Sequence, residues 1–247
     1  MLPQFAAEEL AAALDAAVAD LFKRAGVEQP PVDAVALAKR LGFMLAWDDR
    51  QSNRARLVRL AGQPDCGGLS ILLKPDPRPE RRQWAVAHEI GEYLSPQVFD
   101  ALAVDPGAAP LVAREKIANL LASRLLLPTD WFAADAAADG WDLLELKQRY
   151  HTASHELIAR RMLDFSAPVV ISIIDQGRLE FRRSNVPGRV PPLCPLERNC
   201  WQCVHTQKIP IGPLDSGATS VRGWPIHEPD WRREILRLEL SDESGLE

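Results

Sequence analysis

Long apolar runs are missing from this 247-residue chain, and no stretch approaches the roughly 20 residues that a membrane-crossing helix needs. The amino terminus, Met1-Leu2-Pro3-Gln4 followed by Glu8, Glu9 and Asp15, lacks the basic start and unbroken apolar centre of a secretory signal. Positive charge is scarce too. The 29 Lys and Arg stand against 34 Asp and Glu, a net charge of -5 with pI near 5.6, which argues against direct nucleic-acid binding as the main task. Four cysteines are too few for a secreted disulfide scaffold of this length. These absences lead to the expectation of a cytoplasmic protein with no membrane partner. What is present, 47% hydrophobic and 26% charged residues, is ordinary for a globular chain with one full core and a smaller appended unit.

The chemistry concentrates in Trp84-Ala85-Val86-Ala87-His88-Glu89-Ile90-Gly91-Glu92-Tyr93-Leu94. At about 3.6 residues per turn, His88 and Glu92 lie one above the other on one helix face, so both can touch a single ion. Glu89 lies about 100° round the helix and would reach a bound water instead. This is the arrangement of the zinc-peptidase helix H-E-x-x-H, with Glu92 in place of the second histidine. A short H-E-x-x-E also occurs on plain solvated helices. The apolar neighbours Val86, Ala87, Ile90 and Leu94 weigh against that, because charged groups held in apolar surroundings need a partner or a metal.

A third ligand should come from a second helix. The stretch from Arg114 to Leu127 has helical spacing at Ile117, Leu120, Leu121 and Leu125, stops at Pro128, and carries Glu115 and Asn119 on one face. Taken together, Ala87 to Leu94, Glu115-x-x-x-Asn119 and Leu125-Leu126-Leu127-Pro128 resemble the ImmA/IrrE family of metallopeptidases. Pro31-Val32-Asp33, Ala36 with Leu41-Gly42, and Gly68 to Leu73 ahead of Arg81-Arg82-Gln83-Trp84 are similar to the same family, so the resemblance spans roughly residues 30–165. It implies a regulatory protease that cuts a helix-turn-helix repressor. The family has histidine where this chain has Glu92, so what is implied there is a ligand and not a particular metal. Glutamate supplies a harder oxygen and an extra negative charge. A His88, Glu92, Glu115 set would accept one divalent ion, zinc first, while discriminating less against manganese or iron(II). The added charge should also raise the pKa of a bound water and slow attack.

In chain order, residues 1–29 read as an amphipathic helix with Leu10, Leu14, Ala17, Val18, Leu21 and Phe22 on one side, ending near Gly26. Asp33 is the expected N-cap of a second helix closed by Gly42. Phe43 to Trp47, Ala55 to Leu60 and Leu69 to Leu73 read as three short strands of one sheet. The last of them, Leu69, Ser70, Ile71, Leu72 and Leu73, is the expected edge strand beside the metal helix, on which an extended substrate would add as a further strand. Residues from Ser95-Pro96 to Pro110 read as a loop. Leu143 to Leu163 read as two helices with a break at His151-Thr152-Ala153. Its cations, Lys147, Arg149, Arg160 and Arg161, are nearly balanced by Glu145, Glu156 and Asp164, unlike the basic field of a recognition helix. His151 and His155 are separated by the break; His151 is kept as a candidate oxyanion donor.

From Pro168 the pattern turns to β, with strands expected at Val169–Ile174, Leu179–Arg182, Val204–Ile211, Thr219–Ile226 and Ile235–Leu240, and Trp201, Trp224 and Trp231 available to a small core. Cys194, Cys200, Cys203 and His205 form C-x5-C-x2-C-x-H, whose last step is too tight for two ligands of most structural zinc sites, so reduced thiols are the reading preferred; Cys66 stands alone. The expected architecture is therefore α+β: a zincin-like domain with a three-stranded sheet over 30–165, a β-rich domain over 166–240 and an acidic tail at 241–247. Its expected function is metal-dependent proteolysis of a protein partner, with His88, Glu92 and Glu115 as ligands, Glu89 as general base and Asn119 orienting a ligand. A catalytically silent binding module capturing a partner strand on Leu69–Leu73, and a DNA-binding regulator using residues 143–163, are the alternatives.

Overall fold

The computed structural model describes residues 6–59, 68–217 and 219–240. Leu60, Cys66 and the tail 241–247 lie outside the described residues. The fold is α+β and divides into two compact units, Met1–Ala138 with Gln148–Ser154, and Asp139–Lys147 with His155–Glu247. Of the helix pair expected inside the first domain, α6 (Leu143–Arg149) lies mostly and α7 (His155–Arg161) wholly in the second unit.

In the first unit, α1 (Ala7–Ala25) buries Leu14, Ala17, Val18, Leu21 and Phe22, the apolar side of its 3.6-residue repeat, and ends where Gly26 takes a left-handed φ of 63°. Asp33 caps α2 (Ala34–Arg40) by accepting from the amides of Val35 and Ala36. The same carboxylate accepts from Gln83 Nε2, while Gln83 Oε1 takes the Ala34 amide, tying this cap to α3 (Pro79–Ala101). Pro79 opens α3 at a position where its missing N–H is not needed. The helix runs six residues further than Ser95, through a proline, where a loop was expected. Pro96 cannot donate to the Glu92 carbonyl four residues back; the Ser95 hydroxyl does so at 2.9 Å, and Val98 and Phe99 are buried beyond it. The helix α4 (Leu111–Leu126) and α5 (Thr129–Ala138) complete this unit, with Arg124 and Thr129 both bound to Asp15 of α1.

The small sheet has the order β1 (Met44–Trp47), β3 (Leu69–Leu73), β2 (Ala55–Arg59). β3 pairs parallel with β1 and antiparallel with β2. Leu69, Ser70, Ile71, Leu72 and Leu73 therefore form the central strand and not the edge. The reason is visible in its side chains: Ser70, Ile71 and Leu73 are buried, as suits a strand covered on both sides, whereas β1 and β2 carry exposed positions. Among the described residues β2 is the edge strand that lies beside α3.

In the second unit, five strands run in the order β5 (Arg178–Ser184), β4 (Val169–Asp175), β8 (Trp231–Leu240), β7 (Thr219–Glu228), β6 (Ile211–Ser216), every neighbouring pair antiparallel. Gln176 and Gly177, with φ of 50° and 76°, make the tight turn between β4 and β5. Val204–Ile211 was expected as a strand; residues up to Gln207 belong instead to α8 (Pro195–Gln207). Pro195 follows the cap residue, Glu197 returns to the Cys194 amide, and Leu196, Cys200 and Val204 recur at helical spacing. Cys200 and Val204 pack on Val170, Val221, Leu236 and Leu238 of the sheet. Gly223 lets the helix approach, because a Cβ there would lie 2.7 Å from Val204 Cγ2 and 3.0 Å from Cys200 Sγ. Trp224 is buried, Trp201 half-buried and Trp231 largely exposed, so only part of the tryptophan set fills the core. The cysteines do not gather: Cys194, Cys200 and Cys203 are all free, and burial pushes the Cys200 thiol up to about 12. No helix among the described residues is long and apolar enough to cross a membrane.

Candidate metal centre

Two helices build the site by close approach. A Cβ on Gly91 would lie 2.5 Å from the Ala118 carbonyl oxygen, so α3 and α4 touch backbone to backbone at this level. Glu92 follows Gly91 and Asn119 follows Ala118, so the contact sets the spacing of the side chains on either side of it. His88 Nε2 lies 4.0 Å from Glu92 Oε1 and 3.6 Å from Glu115 Oε2. One ligand atom from each of the three falls within 4.8 Å of the others. Around a tetrahedral ion with bonds of about 2.0–2.1 Å, ligand atoms are roughly 3.4 Å apart, so small side-chain adjustments close the set. On the other side of the ring, His88 Nδ1 lies 3.2 Å from Asn119 Oδ1. With the proton on Nδ1 donated to that oxygen, the Nε2 lone pair faces the two carboxylates.

Glu89 occupies a different environment. It is 7% exposed, and its Oε2 accepts the Leu57 amide of β2 at 2.6 Å. Burial raises its pKa above the ordinary carboxylate range, opposed by His88 and the Leu57 amide and reinforced by Glu92 and Glu115. Burial also raises the pKa of Glu92, with Glu115 adding to the rise while His88 and Arg114 counter it. Two carboxylates and an imidazole therefore converge with negative charge in excess, which suits a cation. They open into a cleft of about 620 Å³ lined by Asn53 to Leu57 on one side and by Trp84, Leu111 and the site residues on the other.

Residues 48–163 match the family model Peptidase_M78, described as the IrrE N-terminal-like domain. Over these residues the chain is similar to the IrrE N-terminal-like family. The match includes α3 and α4 and every member of the cleft. None of the curated proteins matches the sequence. Among solved structures, a Mycobacterium tuberculosis transcriptional regulator is similar over 92% of this chain and 75% of that one, with a TM-score of 0.66 at 19% identity, a likeness of fold alone.

Within the IrrE-like segment the structure brings together His88, Glu89, Glu92, Glu115 and Asn119. His151 stands on an exposed turn and is not among the residues lining the cleft. The cations of the helix pair are engaged: Arg160 pairs with Glu156 at 2.6 Å, Arg161 is buried against Asp164, and Arg149 meets Asp135. Sequence reasoning missed two contributors. The Leu57 amide has no side-chain signature, and its contact with Glu89 joins positions 32 residues apart. Gly91 did have one, a helix-interior glycine between Ile90 and Glu92, which marks close backbone approach.

Proposed function

We propose that this chain is a metal-dependent endopeptidase of the cytoplasm that acts in regulation by cutting a protein partner, with a helix-turn-helix repressor as the substrate class that its family likeness favours. The carrying observation is the convergence of His88, Glu92 and Glu115 in an open cleft with the buried carboxylate of Glu89 beside them. Those three residues would hold one divalent ion, zinc first and manganese or iron(II) as substitutes. The chemistry such an ion supplies when bound is polarisation of a peptide carbonyl and acidification of a water. Asn119 holds the His88 ring in the tautomer that leaves Nε2 free. Glu89 keeps Oε2 on the Leu57 amide, so Oε1 is the atom that takes a proton from the attacking water and returns it to the departing amide nitrogen. Its raised pKa makes it a stronger base than an exposed carboxylate. His151 is not needed in this scheme. The free edge of β2, whose Arg56 and Leu57 line the cleft, takes over the substrate-pairing role first expected for Leu69–Leu73.

A silent partner-binding module is favoured by one specific observation: the Leu57 amide holds Glu89 Oε2 and lowers the basicity of that carboxylate. The test is metal analysis of purified protein, then cleavage mapping by mass spectrometry with candidate repressors from the same genome, using Glu89→Gln and His88→Ala as controls. The peptidase reading expects one ion lost in His88→Ala, an ion retained in Glu89→Gln, and cutting by neither variant. Cutting that persists undiminished in Glu89→Gln refutes the general-base role; bound metal with no cutting in the parent protein selects the silent module.

A further inference from the structure

In the second unit a buried carboxylate faces two imidazoles supplied by different elements. Glu234 of β8 is fully buried, and its Oε1 lies 2.9 Å from His205 Nδ1 on the last turn of α8 and 2.8 Å from His227 Nε2 on β7. Its other oxygen accepts the Trp201 indole N–H at 3.2 Å, which fixes the plane of the carboxylate. The register of the sheet explains the meeting. Glu234 sits opposite Pro225, so His227 is its diagonal neighbour on the same face, and Glu234 continues the inward row of Leu238 and Leu236 that packs against α8. An acid at the end of an apolar row is costly unless its charge is matched. His227 Nδ1 is enclosed without a hydrogen-bond partner, so this ring makes its polar connection through Nε2 alone.

We propose that His205, His227 and Glu234 form a second divalent transition-metal site, separate from the IrrE-like centre and independent of any peptidase activity. The three ligand atoms lie within 4.8 Å of one another. Their present spacing to Glu234 Oε1 is shorter than the roughly 3.4 Å between ligands of a tetrahedral ion, so metal entry moves each ring outward by about half an ångström. His205 is 38% exposed, which gives access from solvent and leaves room for water as a further ligand. Two imidazoles with one carboxylate select zinc, nickel or copper over magnesium and calcium. An ion held here ties the end of α8 to the β7–β8 hairpin. The helix would then be fastened at its far end by the ion and at its start by Arg182, which pairs with Glu197 at 2.6 Å and 2.9 Å.

The test is titration of the metal-stripped full chain with zinc chloride by calorimetry, and with cobalt(II) by visible absorption, in the parent protein, His88→Ala, His205→Ala and the double variant. Two equivalents are expected in the parent, one in each single variant and none in the double variant. Zinc should raise the melting temperature of His88→Ala and leave that of the double variant unchanged. The His88→Ala protein keeps the proposed site intact, so its failure to bind any zinc overturns the proposal whether or not His205→Ala folds. The same stoichiometry in His205→Ala and the parent also overturns it. Loss of zinc from His205→Ala with retention in His88→Ala upholds this site even if the IrrE-like centre proves empty.

Discussion

Replacing Gly91 by alanine probes the contact on which the IrrE-like centre depends. The added Cβ would lie 2.5 Å from Ala118 O and 3.2 Å from Ala118 C and Cα, all backbone atoms of α4 that cannot rotate aside. Contact must open by roughly 1 Å to reach ordinary van der Waals separation. Overpacking of this kind costs about 1–3 kcal/mol, and the better helix propensity of alanine returns about 0.5–1 kcal/mol. The net loss is up to about 2.5 kcal/mol, which for a chain of this size lowers the melting temperature by up to roughly 10 °C. The second consequence is specific to the site. Separating the helices carries Glu115 and Asn119 away from His88 and Glu92, so zinc affinity falls by at least about tenfold. Melting of the metal-free protein reads the packing, and calorimetric zinc titration reads the geometry. A Gly91→Ala protein that melts at or above the parent temperature and binds zinc unchanged would refute the argument that helix contact sets the ligand spacing.

Glu92→His should tighten zinc binding, since it replaces an anionic oxygen by the imidazole that zinc peptidases use; chelator competition giving equal affinities would show that Glu92 does not ligate. Glu89→Gln should stabilise the metal-free protein at neutral pH. Because folding raises the pKa of Glu89, its stabilising share is fully present below the unfolded carboxylate pKa and is lost as pH rises through the folded value. The advantage of Glu89→Gln, measured by urea unfolding, should therefore shrink on acidification, and a constant difference across pH would contradict the assignment. Ser95→Ala should cost about 1 kcal/mol, as the Glu92 carbonyl loses the hydroxyl that stands in for the donor Pro96 lacks. An unchanged urea midpoint would mean that water supplies the bond.

What could be read along the chain follows from what is local. The helical spacing of His88 with Glu92 and of Glu115 with Asn119, the cap at Asp33 and the Gln176-Gly177 turn depend on neighbours within a few residues. The α8 segment differs from the expected strand because the β-branched Val204, Ile209 and Ile211 favour a strand, whereas the cap, Pro195 with Glu197 folding back on Cys194, and the helical spacing of Leu196, Cys200 and Val204 mark a helix.

Sequence by itself placed His88 with Glu92, and Glu115 with Asn119, on common helix faces, because helix periodicity fixes their direction before any packing occurs. Strand order, the bond from Leu57 to Glu89, and the gathering of His205, His227 and Glu234 were decided only by tertiary structure. Their partners are separated by 7 to 32 positions, and no local preference encodes which of several short apolar strands takes the centre of a sheet. Burial on both faces, Ser70 on one and Ile71 with Leu73 on the other, places this strand at the centre, and that is a property of the whole packed layer.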